Sequence, residues 1–403
     1  MQTKSAPLKG LRIADFTLHA AGPYCTEMLT MLGAECIKIE TAGRLDIFRK
    51  PHPVYGRMEA ATFDQVSAGK LSVCMNLKTA KGAELARKLV AASDVVAESF
   101  RPGVMKRLGL DYPTLSRIKP DIIMLSVSAA GQTGPESSHA GYAPLFGAAG
   151  GLGALTGYED GPPVEVRHVM DHSTGLAAAN AVLAACVARK RTGRGQHVDV
   201  AAREVAMSFI GDALLEQALT GVAQHRRGND MPGCAPHNVY RCTGEDAWVS
   251  IAVADEQEWQ GLVRAAGASG AAWASDGRFV TQALRFENRH ALDEALSHWT
   301  LGQSREEVTA SLQAAGVPAF PSCTSKDLVE DAQLHARGVI VNAHGPDGAQ
   351  RNVVGPPWRF DATPAVGGGW TPGLGEHNEY VYGEILGLDR AQIAQLVEEK
   401  VIW

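Results

Sequence analysis

The first third of this 403-residue chain alternates short β-type runs with helix-type runs, and that alternation restricts the fold more than any other feature. Strand-like segments read at 11–17 (LRIADFT), 35–40 (ECIKIE), 70–77 (KLSVCMNL), 94–100 (DVVAESF) and 121–128 (DIIMLSVS), with helical patterns near 22–33 and over 79–92. Repeated strand, helix and strand in this order give a parallel sheet with helices on its faces. Within the second helical pattern Ala83, Ala86, Leu89 and Val90 fall near one face, as a helix covering a sheet requires.

Further along, 173–191 predicts a long helix of small residues, with Ser173 and Thr174 as candidate N-caps and a basic run matching the negative end of the helix dipole. A strand at 197–201 and a helix from Arg203 to about Leu219 follow. The stretch 225–236 (HRRGNDMPGCAP) is polar and rich in Gly and Pro, so a domain boundary is expected there. Beyond it, the strand patterns NVYRCT and AWVSIAVA and helices such as 303–315, ended by Gly316 and Pro318, read as a smaller α+β domain. The tail closes on the helical DRAQIAQLVEEKV. Leu108-Gly109-Leu110-Asp111 is echoed by Leu386-Gly387-Leu388-Asp389, and a glycine C-cap followed by an aspartate N-cap accounts for both without a duplication.

The length suits two domains or one large one, and 45% hydrophobic with 20% charged residues reads as a globular chain. Lysine and arginine total 38 against 44 acids, a net charge of −6, which argues against a general nucleic-acid or anionic-membrane surface. Any anion site must be local. Cysteines 25, 36, 74, 186, 234, 242 and 323 form no C-x-x-C pair, so neither a disulfide frame nor a zinc knuckle is expected. The first residues hold too short an apolar stretch for a secretory signal, and no run is long enough for a membrane span, so a cytoplasmic location is expected.

Common catalytic motifs are missing. The strand LRIADFT followed by Ala20-Ala21-Gly22-Pro23, with Glu40 ending the next strand, resembles the first turn of a dinucleotide fold, but without G-x-G-x-x-G the backbone cannot readily approach a pyrophosphate. The run Gly151-Leu152-Gly153-Ala154-Leu155-Thr156-Gly157 misses that spacing and reads as a loop. There is no phosphate loop, no G-x-S-x-G elbow and no H-E-x-x-H, and thirteen scattered histidines suggest no metal site. What stands out is Met170-Asp171-His172-Ser173-Thr174-Gly175, a carboxylate where a long helix begins. From spacing alone Asp171 either caps the helix or works beside N–H groups able to hold an anion or a developing oxyanion.

Segments along almost the whole chain, LKGLRIADFT, AAGPYCTEMLTMLGAECIKIE, NLKTAKGAELARKLVAASDVVAESFRPGVMKRLGLDYPTLSRIKPDIIMLSVS, GQTGP, ALTGYEDGPP, MDHSTGLAAANAVLAACVARKRTGRGQHVDVA and GLGEHNEYV, resemble the family III CoA-transferases in order and spacing. The group includes formyl-CoA transferase, carnitine CoA-transferases and the α-methylacyl-CoA racemases. The resemblance implies an α/β fold: a Rossmann-like large domain built from both chain ends (1–224 and 331–403), a smaller α+β domain (225–330), and an interlocked homodimer. It implies that Asp171 is the nucleophile of a transferase that moves CoA from an acyl-CoA to a carboxylic acid. A carboxylate is already ionised at neutral pH and needs no general base to attack a thioester.

CoA contacts carried over by motif fall on Met75, Asn76, Leu77 and Lys78, on Ser99, Phe100 and Arg101, and on Arg107 and Leu108, with Ala20, Ala21 and Tyr142 nearer the reacting end. Lys78, Arg101 and Arg107 would supply local positive charge for phosphates. Acyl-CoA and the free acid are substrates, no cofactor is expected to be bound permanently, and neither nucleic acid nor membrane is an expected partner. A dicarboxylyl-CoA such as succinyl-CoA is an expected donor, with His19, Arg44 or Arg49 reading its distal carboxylate. Two departures narrow the reading: Ala20 stands where members acting on formyl and oxalyl groups carry glutamine, and Met231-Pro232-Gly233-Cys234-Ala235-Pro236 replaces their glycine-run lid. Racemases carry a histidine in a G-H-D segment, against Gly141-Tyr142-Ala143 here, and tyrosine is a poor proton acceptor at neutral pH. Racemisation through His139 or His172, and a non-catalytic CoA-binding subunit of a hetero-oligomer, are the alternatives.

Overall fold

A computed structural model describes residues 5–51, 58–166 and 169–403. Six strands form one parallel sheet: β1 (Arg12–Asp15), β2 (Glu35–Glu40), β3 (Leu71–Cys74), β4 (Val95–Glu98), β5 (Ile123–Ser128) and β6 (His197–Ala201), in the order β3-β2-β1-β4-β5-β6. Successive strands run outward from β1 in one direction and then outward from β4 in the other, so the connections diverge between β1 and β4. In sheets of this topology, ligands bind beyond the carboxyl ends of the strands at that divergence.

Neighbouring residues along each strand face opposite layers, and both are apolar, the pattern of a parallel sheet covered on its two faces. Ile13, Cys36, Val95, Ile123 and Leu125 pack under α1 (Ala21–Met31) and the long helix at Val169–Thr192 through Cys25, Met28, Ala178, Val182 and Ala185. Ala14, Ile37, Val96 and Met124 pack on the other face against Leu85, Ala86, Leu89 and Val90 of the helix Ala80–Ala91, joined by Val381, Tyr382, Val401 and Ile402 from the chain's end.

The chain divides into two compact units, one of residues 1–154, 164–224 and 332–403 and one of residues 155–163 and 225–331. The second has its own antiparallel sheet (His237–Arg241, Trp248–Ala252, Ala319–Pro321) and its own core of Tyr240, Val249, Ile251, Trp259, Leu262, Leu292, Leu296, Val308 and Leu312. Its helix Arg305–Ala314 opens on a capping box between Ser304 and Glu307. Among the described residues no helix is long and apolar enough to cross a membrane.

Three local expectations need correction. The long helix starts at Val169, four residues before the expected caps. Thr174 lies inside it and returns its hydroxyl to the Met170 carbonyl at 2.6 Å, a back-bond that lets threonine continue a helix. The run from Arg203 is two helices, Ala202–Ser208 and Gly211–Thr220, separated where the weak helix formers Phe209, Ile210 and Gly211 come together. The glycine run contains one helical turn, Leu152–Leu155, in which Gly153 lies against the Glu165 carboxyl, where any Cβ would be 2.3 Å from Oε1.

Candidate active site

The carboxyl end of β1 leads into a tight turn, Leu18-His19-Ala20, before α1 begins at Ala21. His19 takes a left-handed backbone, φ +66°, which costs a non-glycine residue on the order of 1 kcal/mol and persists only where the surroundings fix it. Ser99, just past β4, fixes one side: its hydroxyl accepts from the Leu18 N–H at 2.9 Å and reaches the Leu18 carbonyl at 3.2 Å. Gly22 permits the turn to close, since a Cβ there would lie 2.6 Å from Thr17 Cβ and 3.1 Å from Ser99 Cβ.

Asp171 lies in the first turn of the Val169–Thr192 helix and is half-buried. One helical turn later, Gly175 meets α1 so closely that a Cβ would sit 2.8 Å from the Ala21 carbonyl oxygen and 3.1 Å from the Cys25 nitrogen. Residues four apart on a helix share a face, so this contact turns Asp171 toward the start of α1. The His172 ring meets Tyr24 edge-on with centroids 4.4 Å apart. Met170 is fully buried beside Ala143, the first residue of the helix Ala143–Ala149, whose N-cap is Tyr142. Tyr142 is two-thirds exposed and meets His19 edge-on at 6.0 Å.

His19, Ala20, Ala21, Ser99, Tyr142 and Asp171 therefore share one region past the carboxyl ends of β1 and β4. An ionised aspartate in a helix's first turn is stabilised by the helix dipole, and the same N–H groups favour charge developing on a nearby oxygen. The other residues expected to touch CoA lie at the edge of one core cluster. Leu77, Phe100 and Leu108 are packed against it, while Lys78, Arg101 and Arg107 are exposed. Met75 is fully buried, so its side chain serves the core, and Asn76 is tied to the chain's end through Val401 O at 2.8 Å.

The two arginines differ. Arg49 forms a two-pronged pair with Glu40, at 2.5 and 2.6 Å, and lies 4.0 Å over the Phe63 ring, so its guanidinium already serves a structural contact. Arg44 is exposed in the turn after β2. Sequence reasoning missed Tyr24, Gly175 and two buried lysines, Lys38 and Lys70. The lysines carried a readable signal, since a charge within an apolar run of a doubly covered sheet needs a specific partner.

Comparison with known proteins decides the family. The model of CoA-transferase family III matches residues 8–378. This chain belongs to the family III CoA-transferases. It is similar to the succinyl-CoA–D-citramalate CoA-transferase of Chloroflexus aurantiacus, 34% identical over 100% of this chain and 99% of the relative. It is also similar to the succinyl-CoA–L-malate CoA-transferase beta subunit of that organism, 32% identical over 99% of both chains. Among solved structures, a CaiB/BaiF family protein from Brucella suis aligns with a TM-score of 0.86 and 31% identity, covering 94% of this chain and 100% of the other.

Proposed function

We propose that the enzyme transfers CoA from a dicarboxylyl-CoA, succinyl-CoA in the first instance, to a free carboxylic acid, with Asp171 as the covalent carrier. One observation carries this reading: Asp171 opens the helix whose Gly175 docks on the start of α1, beside the His19 and Tyr142 pair. Both relatives described above are named for succinyl-CoA, which supports the donor.

An Asp171 carboxylate oxygen attacks the thioester carbonyl, and the C–S bond breaks to give a mixed anhydride and CoA thiolate. The thiolate attacks the aspartyl carbonyl carbon and expels the donor acid, leaving an Asp171-CoA thioester. An incoming carboxylate attacks that same carbon and expels the thiolate, which then takes the new acyl group and frees Asp171. No step consumes a proton or a redox equivalent. In this reading Lys78, Arg101 and Arg107 meet the phosphates of CoA, residues 76–77, 99–100 and 108 line its path, and Ala20, Ala21 and Tyr142 flank the thioester, while the buried Met75 serves the core and not the ligand. His19, and Arg44 from the turn after β2, are assigned to the distal carboxylate. Arg49 is the weakest of the three because Glu40 already holds it.

A homodimer in the cytoplasm completes the proposal. The helix Gly211–Thr220 and its flanks leave Phe209, Leu214, Leu215, Leu219 and Val222 about half to three-quarters exposed, an apolar surface suited to a second copy. The beta-subunit relative makes a paralogous partner the competing assembly. A panel of acyl-CoA donors and carboxylic acids, with products identified by mass spectrometry, tests the function. Wild-type exchange that vanishes in Asp171→Ala is expected, and exchange by the alanine variant contradicts the role of Asp171. Deuterium uptake at the α-carbon without an acceptor acid identifies a racemase instead.

A further inference from the structure

Beneath the Leu18-His19-Ala20 turn lie four ionisable side chains with essentially no exposure: Asp15, Glu27, Lys38 and Lys70. Buried charges are costly unless they are paired and hydrogen-bonded, and well-packed apolar residues often serve stability as well or better. The bonds of the two lysines indicate what else they do. Lys70 Nζ, from the residue before β3, donates to the Pro23 carbonyl at 2.8 Å and the Thr26 hydroxyl at 2.8 Å, and pairs with Asp15 at 3.4 Å. Lys38 Nζ, from β2, donates to the Thr17 carbonyl at 2.9 Å and pairs with Asp46 at 3.2 Å. Asp15 in turn accepts from the Thr17 N–H at 2.9 Å, the Thr17 hydroxyl at 2.5 Å and the Thr26 hydroxyl at 2.8 Å.

The carbonyls of Thr17 and Pro23 bracket the turn, and each is held by a different buried ammonium. Charge balances inside the cluster, since Asp15 offsets Lys70, Asp46 offsets Lys38, and burial pushes Glu27 up to about 8, leaving it largely neutral at pH 7. Burial, the largest influence, would raise the Asp15 pKa, but Lys70, Lys38 and the two Thr17 hydrogen bonds together outweigh it and keep the carboxylate ionised. The left-handed His19 thus sits between two anchored ends, in the over-determined setting that a strained residue needs.

We propose that Lys38 and Lys70 are positioning residues, which set the turn carrying His19, Ala20 and Ala21 against the thioester by holding the Thr17 and Pro23 carbonyls. The inference rests on the acyl-CoA site described under Proposed function. The test uses the full-length chain with Lys38→Met and Lys70→Met, and with the charge-balanced doubles Lys38→Met/Asp46→Asn and Lys70→Met/Asp15→Asn should the singles not fold. Thermal unfolding, CoA binding by calorimetry and steady-state CoA exchange are measured on each.

Folded variants are expected to keep the dissociation constant for CoA, which the phosphate contacts dominate, while kcat falls by about a hundredfold, the scale of a 1 Å misplacement of reacting groups. A folded variant with wild-type kcat overturns the inference, as does one whose CoA binding and kcat fall in proportion. If no lysine variant folds, Thr26→Val, which removes one Lys70 acceptor and keeps the side-chain shape, is expected to give the same split to a smaller degree, and an unchanged kcat there overturns the proposal. A wild-type chain that neither binds CoA nor exchanges it overturns the functional reading and this inference with it. Wild-type exchange alongside unaffected variants overturns this inference alone.

Discussion

Glu27 is a carboxyl group kept neutral by its surroundings. Burial is the main cause, Lys70 opposes it and Asp15 adds to it, so the group is pushed up from 4.5 to about 8. The folded chain then retains a proton that the unfolded chain has released. Through this group, stability is fully present below about 4.5 and is lost as pH rises toward 8. Glu98, buried at the end of β4, is pushed up to about 7 and acts with the same sign over a narrower range. Glu27→Gln keeps the shape and removes the titration. Unfolding midpoints measured from pH 5 to 8 should therefore decline less steeply in Glu27→Gln than in wild type. Equal slopes would contradict a buried neutral Glu27.

At the scale of elements, the decisive contact is between α1 and the Val169–Thr192 helix at Gly175. An alanine would gain about 1 kcal/mol of helix propensity, yet its methyl would sit 2.8 Å from the Ala21 carbonyl oxygen and must push the helices apart. Gly175→Ala is expected to reduce kcat roughly tenfold or more, in keeping with the sensitivity of catalysis to small displacements, with a far smaller change in the unfolding midpoint. Unchanged kinetics would remove the contact from the account.

The sheet was legible because a parallel sheet buried on both faces leaves near-continuous apolar runs; the expected strand 35–40 is β2, and the cores of 11–17, 94–100 and 121–128 are β1, β4 and β5. Boundaries were less legible where hydroxyl residues act within a helix, as Thr174 does, or where a helix breaks without proline, as at Ile210. Of the LGLD echoes, Asp389 caps its helix through the Gln392 N–H, whereas Asp111 stands at the N-cap without that bond. Asp171 stood out in the sequence as a carboxylate at a helix start. Gly175 was illegible as a contact, and the buried lysines signalled that they needed partners without showing which, because both depend on residues distant in the chain.

For the whole molecule, the exposed Leu214, Leu215 and Leu219 are where the proposed homodimer can be tested. A leucine buried at an interface contributes roughly 1.5–3 kcal/mol, so charges there should disfavour association strongly. Leu215→Glu with Leu219→Glu is expected to shift the mass by light scattering from twice that of the chain to that of a single chain. A wild-type monomer, or a doubly charged variant that stays dimeric, would contradict a homodimer closed through this surface.

Trapping the covalent carrier tests the central claim most directly. Wild-type protein incubated with succinyl-CoA and no acceptor acid should, after rapid quenching and proteolysis, yield a peptide carrying CoA as a thioester on Asp171, and hydroxylamine should convert that residue to its hydroxamate. An unmodified Asp171 peptide during demonstrated turnover, or a CoA adduct on another residue, would contradict it.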